Sequence, residues 1–281
     1  MKTALAVILI FISCSIMGQV IRPRVLTLDS ITIDVPVYLD SIEVGVSKQI
    51  AGKKLISSTL LKANPNQNFA QLLQKQSGIF IRSSGAGMLS TPSYKGLGTP
   101  QTPIVITGAN MQSSMNGTMD LSLIDAAHFR RVALNPADQN ATGAQNMGDA
   151  ISLSSLAQKN GLHLGLSSST QNDISANIKY VRHLKDWYYS ISGVATQSEN
   201  RVNLERYGID KLQANTDYKR ASILQTTGYK RKHSEWVNTI YLQGSERGVP
   251  PQIYQTNNSR QEDANAMMVN KYILKTSKNW I

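Results

Sequence analysis

The sequence predicts a small mixed α and β domain followed by a run of antiparallel β-strands. Three observations carry this. Residues 68–78 begin at a capping Asn, place Phe69, Leu72 and Leu73 on one helical face and end at a Gly, with an apolar strand, residues 79–82, directly behind. Residues 103–107 form an apolar run between two turns, Lys95-Gly96-Leu97-Gly98 before it and Gly108-Ala109-Asn110 after it, which reads as one short buried strand. From Gly161 onward, stretches of about ten residues alternate apolar and polar positions, as strands with one apolar face do.

The chain starts with Lys2 ahead of an apolar run over residues 4–11 that continues weakly to Met17, then Gly18 and Gln19, which reads as a secretory signal over residues 1–18. The single cysteine, Cys14, lies inside it, and its surroundings make a poor lipoprotein processing site. An exported chain without disulfides has to be held by core packing or by a membrane. No later window reaches the roughly 18 apolar residues of a spanning helix, so a membrane role requires a β-barrel. The net charge of +11 fits an anionic lipid surface as well as nucleic acid, and Lys230-Arg231-Lys232 reads as a solvated hairpin turn.

Residues 28–35 and 39–46 are near copies, Leu-Asp-Ser-Ile followed by alternating residues. Each is too short to hold a fold alone but suits docking on the open sheet edge of a partner, where main-chain hydrogen bonds supply affinity. The second copy reads equally well as the first strand of the domain. Within residues 48–155 a Ser/Gly loop at 83–90, a strand at 93–95, a short helix at 121–127, a strand at 129–134, a polar loop at 135–148 and a strand at 150–154 complete one domain of ordinary size. Further strands are expected at 173–180, 187–196, 218–230, 235–243 and 265–275. On the residues alone this last part fits a soluble β-sandwich and a transmembrane barrel about equally.

The whole order resembles the TonB-dependent outer-membrane receptors. The helix and strand of residues 68–82 resemble the leucine-rich leaf of the plug. Tyr94-Lys95-Gly96-Leu97-Gly98, then Ile104-Val105-Ile106 and Thr107-Gly108, resemble the family's strand with an Arg-Gly-Leu turn, apolar strand and Asp-Gly turn. Lys95 stands where the family has Arg, which keeps the charge and loses the planar two-pronged contact. Asp120-Leu121-Ser122-Leu123-Ile124 and Phe129-Arg130-Arg131-Val132 continue the likeness, as do Gly143, Gly148 and residues 150–153, while Leu134-Asn135-Pro136 replaces the usual Arg-Gly-Pro. Residues 110–124 and Arg247-Gly248-Val249-Pro250-Pro251 look most like the cobalamin-receptor branch.

The resemblance implies an α+β plug domain followed by antiparallel transmembrane β-barrel strands, an incomplete barrel. Its layout would be a signal peptide at 1–18, an energy-coupling segment at 19–47, the plug at 48–157 and the first barrel strands at 158–281. About 22 strands close a barrel of this family, and the last part supplies about six, so the chain is expected to be a truncated receptor. The implied activity is uptake of a scarce solute, cobalamin first, with a siderophore or an oligosaccharide as alternatives, at the outer membrane of a Gram-negative bacterium; an exported structural or adhesive β-protein is the rival reading. The implied partners are TonB, acting with ExbB and ExbD, the small ligand and outer-membrane lipid, without nucleic acid and without a cofactor.

The coupling strand implied is Asp29, Ser30, Ile31, Thr32, Ile33, Asp34 and Val35, with residues 40–46 as the second candidate. The ligand would meet the loops carrying Ser84, Gly85 and Met88 and carrying Met111, Gln112 and Met115, although methionines such as these and Met119 more often fill gaps in a core. His128, His163, His183 and His233 lack metal-ligand spacing and read as surface or strand residues. No catalytic motif is present, and nothing marks a base for Ser83 or Ser84, so no enzyme activity is expected.

Overall fold

A computed structural model of the protein describes residues 48–50, 53–56, 61, 69–113, 115, 117–135, 150–155, 160–168, 172–200, 203–205, 212–252, 255 and 257–274, which fall in one compact unit, 43–281. The signal, both copies of the alternating segment, the coupling residues Asp29 to Val35, Gly143 and Gly148 lie outside the described residues.

The α+β domain is built on a six-stranded mixed sheet of β1 (Lys48–Ile50), β2 (Lys53–Ile56), β5 (Ile104–Ile106), β6 (Ala109–Asn110), β7 (Arg131–Asn135) and β8 (Ala150–Ser154), in the order β1-β2-β7-β8-β5-β6. The helix α1 (Phe69–Ser77) ends at Gly78, whose φ of 72° is the left-handed C-terminal position expected from the sequence. It leads into the hairpin of β3 (Phe80–Ser83) and β4 (Ser90–Ser93). Phe69, Leu72 and Leu73 are buried, as are all three residues of β5, and the first three with Ile104 and Ile106 share one core with Ile56, Leu121, Ile124, Phe129, Val132 and Ile151.

Three local expectations are corrected. The turn after β5 is Thr107-Gly108, both with positive φ, and Ala109 and Asn110 pair back on β5 as β6. The strand placed at 93–95 is β4, and Tyr94 to Leu97 is a tight turn in which Lys95 (φ 52°) and Gly96 (φ 78°) take the left-handed pair that a two-residue hairpin needs. The helix placed at 121–127 is two 3-10 turns, Leu121–Leu123 and Ala126–His128, because Ile124 and Asp125 are extended between them. The Asp120 carboxylate caps the first turn by accepting from the Ser122 amide at 2.9 Å.

The second sheet is six antiparallel strands in sequence order: β9 (Gly161–Ser168), β10 (Ile174–Leu184), β11 (Trp187–Ser198), β12 (Tyr218–Lys230), β13 (Ser234–Gly248) and β14 (Arg260–Leu274). No pairing joins β9 to β14 among the described residues, so the sheet is open. All five expected strands are present, β12 with the expected bounds and the other four longer, and β9 is additional. Among the described residues no helix is long and apolar enough to cross a membrane.

The two faces of this sheet are inverted relative to a soluble protein. One face packs on the α+β domain and carries Ser190, Ser192, Ser222, Thr226, Thr239, Gln243 and Arg247, all buried. The opposite face is apolar and open. Register places Leu164, Ile178, Gly193, Ile223, Leu242 and Ala266 in one outward row across the six strands. Leu164, Ile178, Ile223 and Leu242 are exposed. A soluble sandwich would bury that face and wet the other, so the alternative left open by the residues is not what the chain forms.

Ends of the outward face carry different chemistry. One edge is a row of aromatics, Trp187, Tyr229, Trp236 and Tyr272, in register, with Trp187 and Tyr229 rings 4.7 Å apart. At the other edge the row is Gln197, Lys219, Glu246 and Glu262. From Trp187 to Gln197 the strand climbs about 33 Å at about 3.3 Å per residue. A tilt of about 45° leaves about 23 Å along the membrane normal, close to the apolar height of about 25 Å in outer-membrane barrels. Outward polar groups inside the band pair with each other, Asn238 donating to Asn270 at 3.0 Å and Gln225 to Thr227 at 3.2 Å. Short turns, Lys185-Asp186 and residues 231–233, close the strands at the aromatic edge, and the longer connections 199–217 and 249–259 lie at the charged edge. Barrels of the outer membrane place short turns inside and long loops outside.

Candidate functional site: a polar seam between domain and wall

The described site is the contact between the segment 120–129 of the α+β domain and the inner face of the strand wall. Breaking the helix into two 3-10 turns lays this segment flat, so that Asp120, Asp125 and His128 all reach the wall while Leu121, Ile124 and Phe129 stay in the domain core. Asp125 meets Arg220 of β12 at 2.6 Å, and its second oxygen accepts from the Ser222 hydroxyl at 2.5 Å. Arg220 also donates to the Ser122 carbonyl at 2.7 Å. Asp120 meets Arg247 of β13 at 2.9 Å, and Arg247 donates to the Gly87 carbonyl at 3.1 Å and reaches Asp263 at 3.4 Å. The Tyr241 hydroxyl donates to the Leu123 carbonyl, and Lys179 donates to the His128 carbonyl.

His128 sits at the centre, fully buried, with Nδ1 and Nε2 each 2.7 Å from a wall hydroxyl, Ser192 and Ser222. It is therefore not the surface or strand residue expected from its isolated position in the sequence. Because Ser222 gives its one proton to the Asp125 carboxylate, Nε2–H donates to Ser222 and Nδ1 accepts from Ser192, the neutral imidazole in one tautomer. Burial pushes its pKa down to about 4, against the raising effect of Asp125 and helped by Lys179 and Arg220.

An opened seam frees a histidine that titrates near 6.5, so the open state takes the proton more readily and His128 favours the closed seam fully above that pH. This contribution is lost as pH falls from about 6.5 to about 4. We expect the urea midpoint of the protein in lipid vesicles to fall over that window, with a slope of up to about 1.4 kcal/mol per pH unit. His128→Gln should remove the slope arising in that window.

The sequence-derived residues fall in several places. Lys95 and Gly96 form the turn after β4, with the Lys95 ammonium 5.1 Å over the Tyr94 ring. Gly98 precedes the 3-10 turn Thr99–Gln101, and the Leu97 amide closes the loop on the Tyr94 carbonyl at 3.0 Å. Gly108 lies beside Lys271 of β14. Ser84, Gly85 and Met88 share one loop, 83–90, in which the Met88 amide donates to the Gly85 carbonyl and Met88 itself is buried. That loop lies at the charged edge of the wall: Asn200 donates to the Ala86 carbonyl at 2.9 Å, and Gly87 abuts the Tyr218 ring. Met111, Gln112 and Met115 belong to a second loop that packs on residues 99 and 100, Gln112 donating to the Thr99 carbonyl at 2.8 Å. Met115 is 97% exposed, whereas Met119 is buried and Met111 packs on the core. Arg247, quoted for its place in the 247–251 likeness, points inward onto the domain.

Sequence reasoning missed Asp125, Arg220, Ser192 and Ser222 altogether. Their partners across the seam lie between 64 and 98 residues away along the chain, so no local pattern marks them. The one available signal was an acidic side chain, Asp125, and a histidine inside an otherwise apolar segment, since buried charge needs a partner.

A domain sealed by charge and hydroxyls into a sheet whose apolar face looks outward is the arrangement of a stopper in a membrane barrel. Residues 46–150 match the TonB-dependent Receptor Plug Domain. Beyond the plug, the chain is similar to solved receptor structures at low sequence identity. The siderophore receptor PiuA from Acinetobacter baumannii superposes with a TM-score of 0.61 at 14% identity, over 81% of this chain and 34% of that one. The ferripyoverdine receptor of the outer membrane of Pseudomonas aeruginosa gives 0.59 at 11% identity, over 78% and 31%. The copper transporter OprC gives 0.54 at 14%, over 66% and 29%. The chain thus spans about a third of the length of these receptors, and the likeness establishes the fold of plug and wall. No curated protein matches the chain by sequence.

Proposed function

We propose that this chain forms the plug and first wall strands of a TonB-dependent receptor that takes up a scarce solute across the outer membrane of a Gram-negative bacterium. The observation that carries the reading is the inverted wall, apolar outward and polar against a plug. The proposed layout is a signal at 1–18, a coupling segment at 19–47, the plug at 48–157 and wall strands at 158–281. Solute would dock at the charged edge, on the loops carrying Ser84, Gly85 and Met88 and carrying Met111, Gln112 and Met115. TonB, energised through ExbB and ExbD, would pair with Asp29 to Val35 by strand addition and pull on the plug.

A metal–siderophore chelate is the solute class favoured by the similar structures, since two of those described above are named as receptors of that kind. Cobalamin rests on the likeness of residues 110–124 and 247–251 alone. Cells carrying an in-frame deletion of residues 29–46 test the reading, with labelled ferric pyoverdine and labelled cyanocobalamin as probes. The expected result is loss of uptake of one probe with its surface binding retained. Undiminished uptake would refute the coupling assignment, and surface binding of neither probe would refute both solute classes.

A further inference from the structure

We propose that Arg247 is a positioning residue that couples the mouth loop 83–90 to the seam segment 120–129, so that lifting the loop loosens the segment. The proposal rests on the uptake reading for its biological meaning, but the coupling is measurable without any solute, so the two can fail separately.

Arg247 is the wall side chain that holds both parts of the plug at once. The two N–H of its Nη1 are shared among the Gly87 carbonyl on the loop at 3.1 Å, Asp120 at 2.9 Å and the Ser122 hydroxyl at 3.2 Å. The Asp120 carboxylate repeats the linkage from the plug side. Its Oδ1 accepts from the amide of Ser90, where the loop ends, and from the amide of Ser122, where the seam segment begins, both at 2.9 Å. The charged pair is buried, with 5% and 9% of the two side chains accessible. Loop 83–90 is part of what covers it, since Gly87 packs on the wall beside Tyr218 and Ala86 is held by Asn200.

Removing the loop from the wall has two consequences in this geometry. Arg247 loses the Gly87 acceptor, and Asp120 loses the Ser90 donor. Water then reaches the ion pair, which drops toward the small worth of an exposed pair. The seam segment keeps Arg220, which also holds the Ser122 carbonyl, and His128, but its start at Asp120 now hangs on a water-exposed ion pair. Displacement at the mouth is thereby converted into mobility at the wall contact through two charged residues.

Gly87→Ala supplies the displacement without a ligand, because a Cβ at this residue, with φ of 69°, would lie 2.2 to 2.6 Å from the Tyr218 ring. Amide exchange of the peptide 120–129 is the readout, with the α1 peptide 69–77 reporting global opening. In the full chain in lipid vesicles, Gly87→Ala is expected to raise exchange of 120–129 about tenfold with α1 unchanged, and to raise it less than about twofold when Arg247→Ala is already present. Where Arg247→Ala leaves α1 unprotected, Arg247→Lys replaces it. A single ammonium can hold Asp120 without the planar reach to Gly87, and the same small response is expected. An equal rise in both backgrounds, or no rise in either, would overturn the proposal.

Discussion

Asp125→Ala is expected to destabilise the protein by about 3–5 kcal/mol, because it strands the Arg220 guanidinium in a closed seam. Both side chains are almost sealed, 8% and 3% accessible, and the 2.6 Å contact is the charge partner Arg220 has in the seam. Removing the carboxylate also strips Ser222 of its acceptor, which in turn upsets the His128 tautomer. The measurement is equilibrium urea unfolding of the chain in phospholipid vesicles. The double variant Asp125→Ala/Arg220→Met separates charge from packing. It should recover most of the loss, since an apolar replacement of a buried pair is close to neutral. A single variant within about 1 kcal/mol of wild type would mean that water already bathes the seam.

Leu242→Arg is expected to cost about 2–4 kcal/mol in the same assay, as a cation placed near the midplane of the lipid face. Leu242 is outward and exposed, midway between the aromatic row and the charged row. In a water-soluble sheet this substitution of an exposed leucine would be neutral or would improve solubility, so the two architectures predict opposite outcomes. Lys219→Arg, at the charged edge, serves as the control and should shift the midpoint by no more than about 1 kcal/mol.

Much of the plug is legible in the sequence because its signals are local. The helix 69–77 with its Gly78 stop, the apolar β5 and the Lys95-Gly96 turn each follow from a handful of adjacent residues. The wall strands are legible as strands for the same reason, although β9 escaped notice despite Leu162, Leu164 and Leu166 at alternate positions. The direction of the wall is different. Alternation in β10 reads the same whether Ile174, Ile178 and Tyr180 face a core or lipid, and only the burial of Ser175 and Val181 against the plug side decides it. Segment 121–127 looks helical because its apolar spacing suits a helix, but a continuous helix would set the core residues Leu121 and Ile124 on the same face as Asp120, Asp125 and His128, and the extended Ile124 and Asp125 resolve that conflict. The seam itself is made of side chains drawn from five strands and one distant segment, so composition and periodicity mark only its Asp125 and His128.

The uninterrupted pairing of β11 with β12 and of β12 with β13, residue against residue from end to end, limits how this part of the chain can drift over evolutionary time. Gaining or losing a single amino acid within a stave would exchange its two sides, turning serines toward hydrocarbon and leucines toward the stopper. Length changes are therefore tolerated only in the connections between strands, above all 199–217, where they leave the sidedness of the sheet intact.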